Sequence, residues 1–225
     1  EVAAAEQTAS DVDIVEVRVR AQRFLVTPTH QFFVQEPGSN APAILKSAAQ
    51  LTTDDFLFLI DGVVESSVRT APNGRELSIP FMEFLGLYLG DGCMSTDRID
   101  IAHAVDEPHM PYYRAAAGAE FTKRGQRGIE WRTSKPGYAS FFCSRSAVAE
   151  LKVLGLTGVA REKRVPGWVF GLAPDLRQAL IRGYLDADGC VEKRGYLQFV
   201  SASYGLLDDT RHLAWISGVR GGCRI

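Results

Sequence analysis

Apolar and polar residues alternate along VDIVEVRVRAQRFLV (residues 12–26), with many β-branched side chains, which predicts half-buried strands. TPTHQFFV (27–34) continues as a further strand after a Pro-bearing turn, and ILKSAAQLTTDDFLFLIDG (44–62) predicts a short helix or turn and then another strand. The period then changes. PFMEFLGLYLGDG (80–92) predicts a helix whose first turn tolerates Pro80. RIDIAHAV (98–105) alternates as a strand, PYYRAAAGAEF (111–121) suits a helix, GIEWRTS (128–134) and YASFFCS (138–144) suit strands, and SRSAVAELKVLG (144–155) is a serine-capped helix. The order then restarts. APDLRQALIRGYLDADG (173–189) is a helix entered through Pro174 and Asp175, VEKRGYLQFVSAS (191–203) a hairpin turned at Arg194–Gly195, and GLLDDTRHLAWISGV (205–219) an amphipathic helix stopped by Gly218.

Between the two regimes lies SSVRTAPNGRELSIP (66–80), whose Ser, Pro, Asn and Gly content predicts a linker. The fold class expected is therefore α+β: an all-β domain over residues 1–70, a linker at 71–80, and a duplicated α/β domain over 81–225. The repeats would be 81–160 and 161–225, the second truncated where a strand should be starting.

Each repeat opens on a helix ending in an acid and a glycine, at Asp91 and Asp188, 97 residues apart, which an internal duplication explains. Gly86 and Gly90, like Gly183 and Ala187, are four apart and share one helix face, so two such helices can approach backbone to backbone. Packed that way, they bring Asp91 and Asp188 side by side. A carboxylate at a helix C-terminus opposes the helix dipole, and two adjacent carboxylates repel. That arrangement calls for a cation, magnesium bound through oxygens, which can activate water and stabilise a phosphorane-like transition state.

Composition changes the picture little. At 46% hydrophobic, with no run of about 18 uncharged apolar residues, the chain predicts no membrane span, and its acidic, polar start is not a signal-peptide layout. Cys93, Cys143, Cys190 and Cys223 are scattered without a CxxC pair, which speaks against zinc and for reduced thiols in a cytoplasmic setting. Net charge is −2, yet residues 114–164 hold 11 basic against 4 acidic residues. With Tyr112, Tyr113, Trp131 and Tyr138 interleaved, this stretch could track a phosphate backbone; on charge alone a solvated face explains it better.

IRGYLDADG (181–189) resembles the LAGLIDADG homing-endonuclease signature at its small, aromatic and acidic positions, and FLGLYLGDG (84–92) is similar as a diverged first copy. The sixth position is Asp186 in one copy and Leu89 in the other, so Asp186 lies outside the pair. KRVPGWVF (163–170) resembles the Lys-x-(Ile/Val)-Pro segment between the two motifs of intein-borne endonucleases, which implies that Lys163 is an active-site cation near the metal; a phosphate-contacting or solvated lysine is the alternative. The resemblance covers about residues 80–225.

VTPTHQFFV (26–34) resembles the Thr-x-x-His segment of intein (Hint) domains, at Thr27 and His30, and 44–59 is similar to the region that follows. There the His protonates the leaving nitrogen of the scissile amide and the Thr holds the peptide for an acyl shift. The chain begins with Glu1 where splicing needs Cys or Ser, and it ends at GCRI without the family's His-Asn, so splicing by these residues alone is not expected.

Together the resemblances imply a monomeric, magnesium-dependent endonuclease within an intein, cutting both strands of a long asymmetric DNA site under a saddle of antiparallel sheets, with the protein flanking the intein as the other partner. Asp91 and Asp188 would hold the metals with Lys163 assisting. Strands around 98–105, 128–143 and 192–201 would supply the groove contacts, and Lys123, Arg124, Arg127, Arg132, Lys193 and Arg194 would bind DNA. The rivals are a cleavage-inactive DNA-binding remnant and a Hint-type autoprocessing fragment.

Overall fold

The alternating stretch near the start forms the expected antiparallel strands. In the computed structural model, β1 (Val15–Val19) pairs with β2 (Gln22–Val26), Val17 opposite Phe24. A turn over Thr27–His30 follows, closed by the His30 N–H donating to the Thr27 carbonyl at 3.0 Å, with Pro28 second in the turn, where its fixed φ fits. β3 (Gln31–Gln35) then runs between β4 (Ile44–Ser47) and β5 (Phe56–Leu57). The short helix or turn expected after residue 44 is a single 3₁₀ turn at Ala48–Gln50, and an unanticipated strand, β4, precedes it. Among the described residues of this part, Val17, Val34 and Ala48 are the buried apolar ones, whereas Leu25, Phe33, Leu45 and Phe56 are each more than half exposed.

The residues described are 11–19, 22–35, 42–57, 63–104, 106–122, 129–133, 139–191 and 197–219. They fall in two units, Glu1–Asp61 with Gly222–Ile225 and Gly62–Gly221. The boundary precedes residue 70, and the linker expected at 71–80 is instead part of the second unit. Its Pro, Asn and Gly encode a tight turn, with Gly74 N–H donating to the Ala71 carbonyl at 2.9 Å and Thr70 bridging to Glu76. Ala71 and Leu77 are buried in the core. Arg75, 3% exposed, pairs with Glu120 and Glu150, each at 2.8 Å, and its guanidinium lies 3.5 Å over the Phe81 ring. Upstream, Arg69 pairs bidentately with Asp175 at 2.9 and 2.8 Å, and Ala173 N–H donates to the Val68 carbonyl.

α1 (Ile79–Asp91) starts at Ser78, whose hydroxyl accepts from Phe81 N–H at 3.2 Å and donates to Glu120 at 2.7 Å. Phe81, Met82, Phe84, Leu85, Leu87, Tyr88 and Leu89 are all at most 3% exposed. A helix apolar on every side belongs at the centre of its domain. From its tip the chain enters β6 (Gly92–Met94) and β7 (Arg98–Ala102), then α2 (Met110–Thr122), β8 (Arg132–Thr133), β9 (Ala139–Cys143) and α3 (Arg145–Val153). The sheet order is β6-β7-β9-β8, all antiparallel. After a 3₁₀ stretch at Gly167–Gly171 come α4 (Pro174–Asp188), the hairpin β10 (Gly189–Val191) and β11 (Leu197–Phe199), and α5 (Tyr204–Ile216). The order helix, strand, strand, helix thus recurs from α1 and from α4. The strands expected at 128–134 and 191–203 are shorter among the described residues, at 132–133 and at 189–191 with 197–199.

α1 and α4 touch through backbone. A Cβ on Gly86 would lie 2.0 Å from the Leu180 carbonyl oxygen, and one on Gly183 would lie 1.8 Å from that of Glu83. Gly118 on α2 has no atom within 4 Å of such a Cβ. Gly183→Ala must therefore separate the two helices and is expected to cost about 2–3 kcal/mol of unfolding free energy, while Gly118→Ala gains about 0.5–1 kcal/mol from helix propensity. Urea unfolding of both variants checks this; a tolerated Gly183→Ala contradicts the backbone contact.

Candidate active site

The close approach continues to the helix tips. A Cβ on Gly90 would lie 2.4 Å from the Ala187 Cβ and 3.4 Å from Oδ2 of Asp188, so the Asp188 carboxylate reaches the residue before Asp91. Each helix then turns straight into extended backbone at Gly92 (φ −83°) and Gly189 (φ −110°). A side chain there would meet the helix's own last turn, 2.4 Å from the Tyr88 carbonyl and 2.5 Å from that of Leu185. The glycine after each acid is what lets the strand leave.

Both acids are half-buried. Burial, reinforced by the neighbouring Asp188 carboxylate, pushes Asp91 from 3.8 up to about 6, against the pull of Lys163. Burial also raises Asp188, with Lys163 opposing. Lys163 is 5% exposed and donates to three backbone carbonyls at the end of α1: Tyr88 at 3.1 Å, Gly90 at 2.9 Å and Gly92 at 2.6 Å. An ammonium has three protons, so its donors are used up. Burial lowers its pKa while Asp188 and Asp91 raise it. Lys163 thus caps the negative end of α1, with both acids near enough to raise its pKa. It acts on the carboxylates through its charge. Its own backbone is anchored too: Ser203 Oγ, the N-cap of α5, donates to the Lys163 carbonyl at 2.8 Å, and Arg164 and Val165 both bind Asp209 of α5.

Asp186 is held apart from the pair, accepting from the Tyr113 hydroxyl of α2 at 2.6 Å. Two titratable residues not singled out from sequence also act on Asp91: Glu107, which raises it, and His103, which lowers it. The signal for His103 is strand register, since Gly92 opposite Ile101 carries the residues after β7 towards the tip of α1. The Ser140 hydroxyl contacts His103 Nε2 at 2.7 Å and accepts from Arg114, and His103 Nδ1 lies 2.6 Å from the Ala104 carbonyl.

Of the expected DNA contacts, Arg132 is exposed on β8; Lys123, Arg124, Arg127, Lys193 and Arg194 lie outside the described residues. In the first unit, Thr27 and His30 are the ends of one turn, with His30 exposed and its ring 5.0 Å from that of Phe32. Among the described residues no three His, Cys, Asp or Glu side chains cluster as a metal cage. Two carboxylates remain, and magnesium is commonly held by one or two carboxylates with water and phosphate oxygens completing the shell. The two carboxylates are oxygen donors of the kind that ion takes.

Residues 175–221, from α4 past α5, match the family described as LAGLIDADG-like domain. That match lies within the second unit and supports a LAGLIDADG endonuclease-type domain there. Two curated proteins are similar. The iron-sulfur cluster assembly SufBD family protein ML0593 of Mycobacterium leprae (strain TN) is 31% identical over 144 residues, 61% of this chain and 16% of that protein. The DNA-directed RNA polymerase subunit Rpo1C of Methanocaldococcus jannaschii is 31% identical over 145 residues, 62% of this chain and 16% of the relative. The chain therefore spans 16% of the length of either relative.

The raised Asp91 carboxyl has a consequence for stability. Between about pH 4 and 6 the folded chain keeps a proton that the unfolded chain has released, so stability falls as pH rises through that window. Asp91→Asn removes this ionisation. In metal-free buffer it is expected to unfold at higher urea than the unchanged chain at pH 8 and at nearly the same urea at pH 4. A gain of equal size at both pH values contradicts a strained carboxylate.

Proposed function

We propose that the second unit is a site-specific homing endonuclease that hydrolyses both strands of double-stranded DNA, with Asp91 and Asp188 holding magnesium. The observation that carries this reading is the meeting of two half-buried acids at the tips of helices in backbone contact. Such a pair is unfavourable by itself and is relieved by a cation. Bound there, magnesium would activate water and offset charge building on the scissile phosphate. The chain's own residues prepare the site. Gly86 and Gly183 set the spacing, the Lys163 charge pulls both carboxyl pKa values down against burial, and the Lys163 cap fixes the end of α1 that carries Asp91. Tyr113 keeps Asp186 outside the pair.

The element order shared by the stretches starting at α1 and α4 supports an origin by duplication, with their sheets together forming the saddle for DNA. The intein context rests on different support. Two relatives with unrelated names, a cluster-assembly protein and a polymerase subunit, each share about three-fifths of this chain over 16% of their own length. That is how one element inserted in unrelated hosts would look. The Thr27–His30 turn is the part of a Hint domain that such an element would carry.

Cleavage tests the proposal. The full chain is incubated in magnesium with supercoiled plasmids carrying a library of candidate sites, and binding is measured in calcium. Asp91→Asn and Asp188→Asn are each expected to lower cleavage at least about a hundredfold and leave binding unchanged or tighter, since each removes a charge that repels DNA. Asp186→Asn should keep cleavage. Undiminished cleavage in the Asp91 and Asp188 variants sinks the two-carboxylate mechanism.

A further inference from the structure

A second built arrangement lies on the other face of the four-stranded sheet. Ile99, Ile101, Ser140 and Phe142 turn into the core, so their neighbours along β7 and β9 turn outward. Register lines up Cys93, Asp100, Phe141 and Arg132 in one row across the four strands, with Arg98 opposite Cys143 in the next. Arg98 Nε donates to Asp100 Oδ2 at 2.8 Å, and the guanidinium carbon lies 4.7 Å from the centre of the Phe141 ring. A long side chain on an exposed strand is thereby held at two points. Among the described residues nothing accepts from its two terminal amino groups.

We infer that Arg98 determines specificity by reading a guanine through the major groove, with Asp100 and Phe141 as positioning residues for its guanidinium. This rests on the DNA-cutting reading above. The choice between base and phosphate follows from charge. Asp100 already compensates the Arg98 cation, so the pair offers a phosphate little net attraction. It offers instead a planar fork of two oriented donors, the pattern that matches guanine O6 and N7. Holding the fork in advance cuts the side-chain entropy lost when it binds. The pair contributes little to folding, because the Arg98 side chain is 45% exposed and water screens it, even though Asp100 is 16% exposed. Arg132 differs: its partner Glu130 is 3.4 Å away and both are largely exposed, so among the described residues nothing fixes its direction.

The test is selection from a pool of randomised duplex DNA by the full chain, with calcium replacing magnesium so that bound DNA is not cut. Binding of unselected DNA is followed in parallel across a salt series. Arg98→Ala is expected to lose a guanine preference of roughly ten- to hundredfold at one position of the site and to keep the others. Arg98→Lys keeps the charge and should lose the same preference. Asp100→Ala should blur that position while binding unselected DNA as tightly or more tightly, an outcome that a structural role does not give. Unfolding curves of all three should coincide with that of the unchanged chain. If the unchanged chain selects a site and Arg98→Ala selects the same one, the assignment is wrong and the endonuclease reading stands. A uniform loss over all sequences with a shallower salt dependence makes Arg98 a phosphate contact and overturns it equally. No selected sequence with the unchanged chain overturns both.

Discussion

Everything at the candidate site depends on the contact between α1 and α4 at Gly86 and Gly183. There the carbonyl of one helix occupies the space where a side chain of the other would begin. Backbone contact brings the axes closer than any pair of larger residues allows, and it makes the tips converge. Two consequences follow at once. The acids ending the helices must share one neighbourhood, and the strands leaving the tips must diverge into separate sheets, β6 with β7 and β10 with β11. A convergence of this kind works against stability, since each carboxylate sits at the negative end of its own helix. The fold keeps it through a large apolar core around α1 and through the Lys163 ammonium.

Lys163 makes the two tips unequal. Its three protons all go to the end of α1, whereas the described contacts at the end of α4 are the Gly189 N–H on the Leu185 carbonyl and the Val200 N–H on that of Asp188. The same short segment, residues 163–165, is bound by Ser203 and Asp209 at the start of α5. One stretch ahead of α4 therefore ties the α1 tip to α5. An equivalent tie rests on the helix flanks, where Glu83 of α1 binds Arg182 of α4 at 2.9 Å and accepts from Tyr112 of α2.

Periodicity made the helices legible almost to the residue, because each has an apolar face together with a proline or serine at its start. The packing of α1 on α4 was legible too, since two small residues four apart on each helix leave few other uses. What escaped was whatever depends on partners far along the chain. The stretch at 66–80 has the composition of a linker, but Arg75 finds its carboxylates 45 and 75 residues later, and no local pattern announces that. The Lys163 segment stood out, yet its cap could not be foreseen, because backbone carbonyls carry no sequence signal. His103 reaches Asp91 only through strand register. The Arg98 bracket joins β7 to β9 across more than forty residues, and only its Arg-x-Asp half is written locally.

On the proposed reading, Asp91 and Asp188 form one cation-seeking pair. Carboxyl-carbon NMR titration of the full chain, with and without magnesium and in the Asp188→Asn variant, measures this most directly. Asp91 should titrate near pH 6 in metal-free buffer, and move to lower pH both on adding magnesium and on neutralising Asp188. An Asp91 that titrates at an ordinary carboxylate value and moves under neither change contradicts it.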